Sequence, residues 1–208
     1  DADACPVKEE IYKVAERRGA RVRSVHLPGL RRAIAMWATA MSTAADKPYA
    51  EILGNGTPLR MRDVLREFPR AAMGRSDYTL PSLGLCVLER LTKDLPVDHD
   101  GELEATRRVR AEILSLLGDR GVLLYPSHPR VAPKHRTALY WPVQWGYTAA
   151  FNVLELPVTQ TPLGITDDGL PLGVQVVGAP GNDHVTIRVA LALEEAMGGW
   201  VPPPRLFR

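Results

Sequence analysis

Cysteine is the scarcest informative residue in this chain, present only as Cys5 and Cys86, far apart in sequence. Two isolated thiols exclude a disulfide scaffold and a zinc knuckle. They fit a reducing compartment, so a cytoplasmic location is expected. Excess charge is missing as well. A formal net charge of +2 is too small to point to nucleic acid, and no nucleic-acid partner is expected. The one dense cationic run (Arg17, Arg18, Arg21, Arg23, Arg31 and Arg32) lacks interleaved aromatics and reads as a solvated helix end and strand edge. No apolar run approaches the ~18 residues needed to span a bilayer. The opening DADACPVKEE is too acidic and polar for a signal peptide.

Reaction motifs are missing too. The serines stand at 24, 42, 76, 82, 115 and 127; none lies in a Gly-x-Ser-x-Gly elbow or a Ser-x-x-Lys pair. Gly54-Asn55-Gly56 begins like a dinucleotide loop but meets Leu59 where the third glycine should be, and so reads as a turn. His128 and His135 are too far apart in a Pro-rich loop for a usual ligand pair. Ser127-His128 is rejected as a nucleophile and base, because neighbours in an extended loop rarely face each other. Asp46, Asp63, Asp77 and Asp98 fall where helix capping or loops explain them. No metal and no organic cofactor is expected.

What the chain does have is an ordinary globular composition, 45% hydrophobic and 24% charged, in an alternation of helix and strand signals. Pro6 suits a first helical turn, Val7, Ile11 and Val14 follow at helical spacing, and Gly19 supplies a stop. RVRSVHL, with Val22 and Val25, then reads as a strand ended by Pro28-Gly29. Residues 30–46 form an Ala-rich, largely buried helix. Residues 48–100 are broken by glycine and proline into short helices with no clear strand, the pattern of a helical cap-like insertion. Residues 102–117 form the cleanest amphipathic helix, and Val122–Tyr125 the next strand. Asp168-Gly169 marks a hairpin between PVTQTPLGI and LPLGVQVVG. Asn182-Asp183 caps a last helix that Gly198-Gly199 ends. Helix to strand in so few residues implies a layered α/β fold. One aromatic group stands out: Trp141, Trp145, Tyr147 and Phe151. Helical spacing would place these rings on neighbouring faces, either as core against the hairpin or as the lining of an apolar site.

The stretch GYTAAFNVLELPVTQTPLG followed by DGLPLGVQVVG resembles the C-terminal part of the amidase-signature hydrolases. In that family a Thr, then an Asn four residues on, precede a Pro-containing strand, a turn and a G-L-P-x-G-x-Q strand. The matching positions here are Thr148, Asn152, Pro157, Gly164, Gly169, Leu170, Pro171, Gly173 and Gln175. GNDHVTIRVALALEEAMGGWVPP continues the likeness, and 6–27 and LLYPSHPRVAPKH extend it upstream. Within the family the resemblance is to fatty-acid amide hydrolases of the second type. It implies an α/β/α fold whose mixed sheet is flanked by helices, and hydrolysis of a carboxylic amide by a Ser, a second Ser after a cis peptide bond, and a Lys. No Gly-Gly-Ser-Ser-Gly-like run occurs here, so no catalytic residue is carried over. Residues 1–208 are expected to be the C-terminal portion of a single amidase domain, inactive alone and built as half a sheet and one wall of an acyl pocket.

Relatives acting on glutamine tend to have an acidic residue three positions before the Thr, where this chain has Trp145. An indole offers an apolar face instead of an ionic partner, which favours a fatty-acyl or aryl amide as the small-molecule substrate. Trp145, Thr148 and Phe151 are the candidate substrate-binding residues. Gly164 and Gly173 suit close backbone approach, Gln175 must find hydrogen-bond partners if buried, and Asn152 should tie the following loop through its side chain. Two other readings stay open: a glutamine-dependent amidotransferase of the A type, which works as one subunit of a complex, and a non-catalytic lipid-binding or interaction module on the same scaffold. Membrane association and a homodimer are left open.

Overall fold

A computed structural model describes residues 8–92, 98–134, 137, 141 and 143–202. The chain divides into two compact units, Asp1–Ala38 with Gly101–Arg208, and Thr39–Asp100.

The larger unit begins with helix α1 (Lys8–Arg17). Glu9 and Glu10 in its first turn and Arg17 in its last complement the helix dipole, and Ile11 and Val14 face inward. Pro6, the expected start, lies outside the described residues. Residues 20–27 form no strand, which corrects the reading of RVRSVHL. Val22 and Val25 are only half-buried and three positions apart, off the two-residue strand period. The segment meets the end of the long helix His99–Leu117 instead, where Arg23 donates to the Leu116 carbonyl at 3.1 Å. A short 3-10 turn at Pro28–Arg32 leads into α2 (Ala33–Ala44).

That long helix, α6 (His99–Leu117), buries Val109, Ile113 and Leu117 in a single stripe. Strand β1 (Leu123–Pro126) follows, then α7 (Gly146–Val153), the hairpin β2 (Val158–Ile165) and β3 (Pro171–Val177), and α8 (Asp183–Met197). The hairpin turn is the expected one: Gly169 takes φ +78°, and Thr166 N donates to the Leu170 carbonyl at 2.8 Å. β3 is central, antiparallel to both neighbours, with Tyr125 opposite Gln175 on one side and Gln160 opposite it on the other. The described strands thus contribute only antiparallel pairs to the mixed sheet expected of this architecture.

Alternation along β3 sends Val174 and Val176 to one face, against Ile11 and Val14 of α1 and Ala190 and Leu193 of α8. Val177 packs on the other face with Phe151, Leu154 and the α6 stripe. Helices therefore cover both faces. On the α8 face, Thr159 and Thr186 share a 2.8 Å hydrogen bond, and Thr161 donates to the Ala190 carbonyl at 3.2 Å. Asn182 sits at the N-cap of α8 but makes no side-chain cap bond. Its amide donates to the Asp119 carbonyl at 2.8 Å, so it joins two loops rather than capping the helix.

The smaller unit holds α3 (Tyr49–Leu53), α4 (Met61–Ala72) and α5 (Leu80–Thr92). They pack around Val64, Leu83 and Cys86, and Glu89 accepts the Tyr49 N–H at 2.9 Å. Burial raises the Cys86 thiol above its ordinary range, and the nearby Glu89 carboxylate adds to the shift.

Candidate functional site

The segment between β1 and α7 builds a cleft at one end of the larger unit. After Pro126 the chain is pinned at once, Ser127 Oγ donating to Gln160 Oε1. The His128 Nδ1 atom lies 2.8 Å from the Arg130 carbonyl. Two acceptors would repel at that distance, so Nδ1 carries the proton. Ser127 and His128 thus spend their polar atoms on structure, consistent with their rejection as a catalytic pair. Further along, the Thr137 hydroxyl donates to the Lys134 carbonyl at 2.7 Å, and the Thr137 N–H to the same oxygen at 3.0 Å. His135 lies outside the described residues.

The opposite wall is the turn before α7. Trp141 and Trp145 precede the helix rather than belong to it, which divides the aromatic group. Tyr147 and Phe151, inside α7, turn toward the sheet and pack on Tyr125 at ring separations of 5.4 and 5.2 Å. Phe151 is 0% exposed; removing its ring from water is worth roughly 2–3 kcal/mol. Trp141 and Trp145 are 43% and 39% exposed. The Trp145 ring meets Trp37 edge to face at 4.7 Å, and the Arg130 guanidinium lies over Trp141 at 4.3 Å. Both alternatives left open for the aromatic group therefore hold, each for half of it. Gly146 allows the close packing behind this wall, since a Cβ there would sit 2.9 Å from Ile34 Cδ1.

Between the walls is a cavity of about 380 Å³, lined by Trp141, Trp145, Arg130, Val131, Pro133 and Lys134 among others. Of the candidate residues, Trp145 lines it. Thr148 is exposed one turn on, its hydroxyl donating to the Trp145 carbonyl at 2.9 Å. Phe151 lies in the core behind. Arg130 and Lys134 were not singled out by sequence reasoning, because nothing local marks a loop cation as facing an indole eleven residues away.

Gln175 ties the two walls to the sheet. It is 5% exposed, and its amide donates to the Pro126 carbonyl at 3.1 Å and the Tyr147 carbonyl at 3.2 Å. Its expected need for partners is met. Gly173 is where close approach was expected, a Cβ there falling 2.2 Å from Gln160 Nε2, and Gly164 takes φ +126° at the β2 bulge. Asn152 differs from expectation: its backbone carbonyl, accepting Glu155 N at 3.2 Å, ties the loop after α7. Burial, with Tyr147 beside it, pushes the Tyr125 phenol up to about 12, so it is a neutral group behind the site. No cluster of potential metal ligands occurs among the described residues. No helix there is long and apolar enough to cross a membrane.

Residues 7–187 match the family profile described as Amidase. Over 190 residues the chain is 40% identical to fatty-acid amide hydrolase 2 of Homo sapiens, covering 89% of this chain and 35% of that protein. In three dimensions it resembles the amidase-fold component of the glutamyl-tRNA(Gln) amidotransferase of Thermotoga maritima, with a TM-score of 0.61 and 21% identity over 96% of this chain and 41% of that one. It also resembles peptide amidase of Stenotrophomonas maltophilia, with a TM-score of 0.58 and 20% identity over 97% and 41%. At such identities the structural likeness speaks for the fold alone. The chain spans little more than a third of the length of the human relative.

Proposed function

The chain belongs to the amidase family, and from that premise we propose that it is the C-terminal portion of an enzyme hydrolysing carboxylic amides with an apolar acyl or aryl group. These residues provide frame and wall, and the reacting groups come from elsewhere in the same protein. A Ser nucleophile, relayed through a second Ser to a neutral Lys, attacks the amide carbon and passes its proton to the lysine. Backbone amides hold the oxyanion. The protonated amine then leaves, and water, deprotonated by the same relay, releases the acid from the acyl-enzyme.

The observation that carries the substrate class is Trp145, a half-exposed indole braced by Trp37 on the cleft wall. An apolar shelf rewards chain length, since each methylene removed from water contributes about 0.8 kcal/mol, roughly a fourfold gain in kcat/KM. The test is an assay of the complete protein against acyl amides of increasing length, aryl amides and glutamine. Hydrolysis that rises with acyl length supports the reading; no hydrolysis of either apolar class removes it. Hydrolysis of glutamine alone would favour an A-type amidotransferase component, against which Trp145 speaks. If the coding sequence proves to hold no Ser-rich signature and no Lys motif, a non-catalytic lipid-binding or interaction module is left.

A further inference from the structure

The cleft is cationic as well as apolar, and the charge has no internal counterpart. From residue 120 to 154 the sequence contains no Asp or Glu, while Arg120, Arg130, Lys134 and Arg136 fall within it. Arg130 and Lys134 line the cavity beside Trp141 and Trp145, both exposed. Elsewhere arginines of this chain find carboxylates, Arg18 with Glu195 and Arg32 with Glu102. No ion pair among the described residues uses Arg130 or Lys134.

Stacking fixes the guanidinium plane of Arg130 on the Trp141 face at 4.3 Å but occupies none of its N–H donors. Those stay in the plane, set to take a carboxylate by two parallel bonds. A plane already held in place loses less freedom on binding than a free side chain. Lys134, on a turn clasped by Thr137, adds a second positive charge. A neutral acyl chain would use the indoles and leave both cations idle.

We infer that the substrate is an amide bearing a carboxylate next to its apolar group, the carboxylate bound by Arg130 and Lys134 and the apolar group by Trp141 and Trp145. This rests on the amide-hydrolase reading and narrows it. The carboxylate can belong to the amine half, as in an N-acyl amino acid, or to the acyl half, as in the monoamide of a dicarboxylic acid.

The experiment uses the complete protein and two matched pairs: an N-acyl amino acid against its carboxamide, and a dicarboxylic monoamide against its methyl ester. The anionic member of one pair should be preferred at least tenfold in kcat/KM, and which pair shows it identifies the half that carries the charge. That preference should shrink as salt rises, since exposed charges are screened. Arg130→Gln should reduce the anionic-to-neutral ratio about tenfold and Lys134→Gln about threefold, the freely hydrated cation being worth less. Equal rates within both pairs, or a ratio that neither variant moves, would overturn the inference while leaving the amide-hydrolase reading in place. No hydrolysis of any amide, these or simple ones, would remove both.

Discussion

Replacing Gln175 by methionine, which keeps the shape and removes the amide, should loosen both walls of the cleft without disturbing the hairpin that carries it. The wild-type amide makes two hydrogen bonds, to the carbonyls of Pro126 and Tyr147, each worth about 1 kcal/mol net. The losses differ. Tyr147 lies in α7, where its carbonyl also serves the helical pattern, whereas Pro126 begins the loop that leads to Arg130. A net cost of about 1–2 kcal/mol follows, the upper part of that range if the Pro126 oxygen finds no water. Because the bonds join the sheet to the two walls, the loss should be local. Hydrogen exchange followed by mass spectrometry should show peptides spanning 126–134 and 143–153 exchanging about tenfold faster, since about 1.4 kcal/mol is a factor of ten. Peptides of α8, on the opposite face, should be unchanged. Unaltered exchange in both wall peptides would refute the tie; uniform acceleration throughout would mean that Gln175 supports the whole core instead.

Gly178→Ala should destabilise by about 2 kcal/mol through overpacking, because the new Cβ would lie 2.6 Å from Thr186 Cγ2 and Thr186 is locked by its bonds to Thr159 and the Asp183 carbonyl. Adding Thr186→Ser, which removes that methyl and keeps the hydroxyl, should recover most of the loss in urea unfolding; additive losses would contradict it. Tyr125, raised from its ordinary 10.0 to about 12, should be the late-ionising phenol in an alkaline absorbance titration, a component that Tyr125→Phe removes. Its folded value lies above its unfolded one, so its contribution to stability is complete below the unfolded value and is lost as pH climbs through the interval between them. A titration that Tyr125→Phe leaves unchanged in shape would refute this. Cys86, buried and raised, should react slowly with a thiol reagent in the native protein and quickly in denaturant, as read on its own peptide; equal rates would place it at the surface.

Local chemistry was legible in the sequence and pairing was not. Asp168-Gly169 named the hairpin because a left-handed residue is a property of the turn itself, and the α6 stripe of Val109, Ile113 and Leu117 was legible because helical burial repeats within one segment. Residues 20–27 misled because a strand exists only with a ladder partner, which no local pattern supplies. Asn182 misled in a similar way: its identity suits a cap, but its amide bonds to Asp119, distant in sequence. At the cleft, the aromatic group was visible as a composition. Its division, with Trp141 and Trp145 outward and Tyr147 and Phe151 inward, depended on α7 beginning at Gly146. Arg130 over Trp141 is a contact between two loop positions, beyond the reach of periodicity. The need of Gln175 for partners could be foreseen; which carbonyls met it could not.

Covalent labelling of the complete protein with a serine-reactive fluorophosphonate, followed by peptide mapping, tests the division of labour most directly. The expected result is a single modified serine outside these 208 residues, with amide hydrolysis lost in proportion to labelling. Modification of Ser24, Ser42, Ser76, Ser82, Ser115 or Ser127 that abolishes hydrolysis would contradict it, because the reaction centre would then lie within the part assigned only to wall and frame.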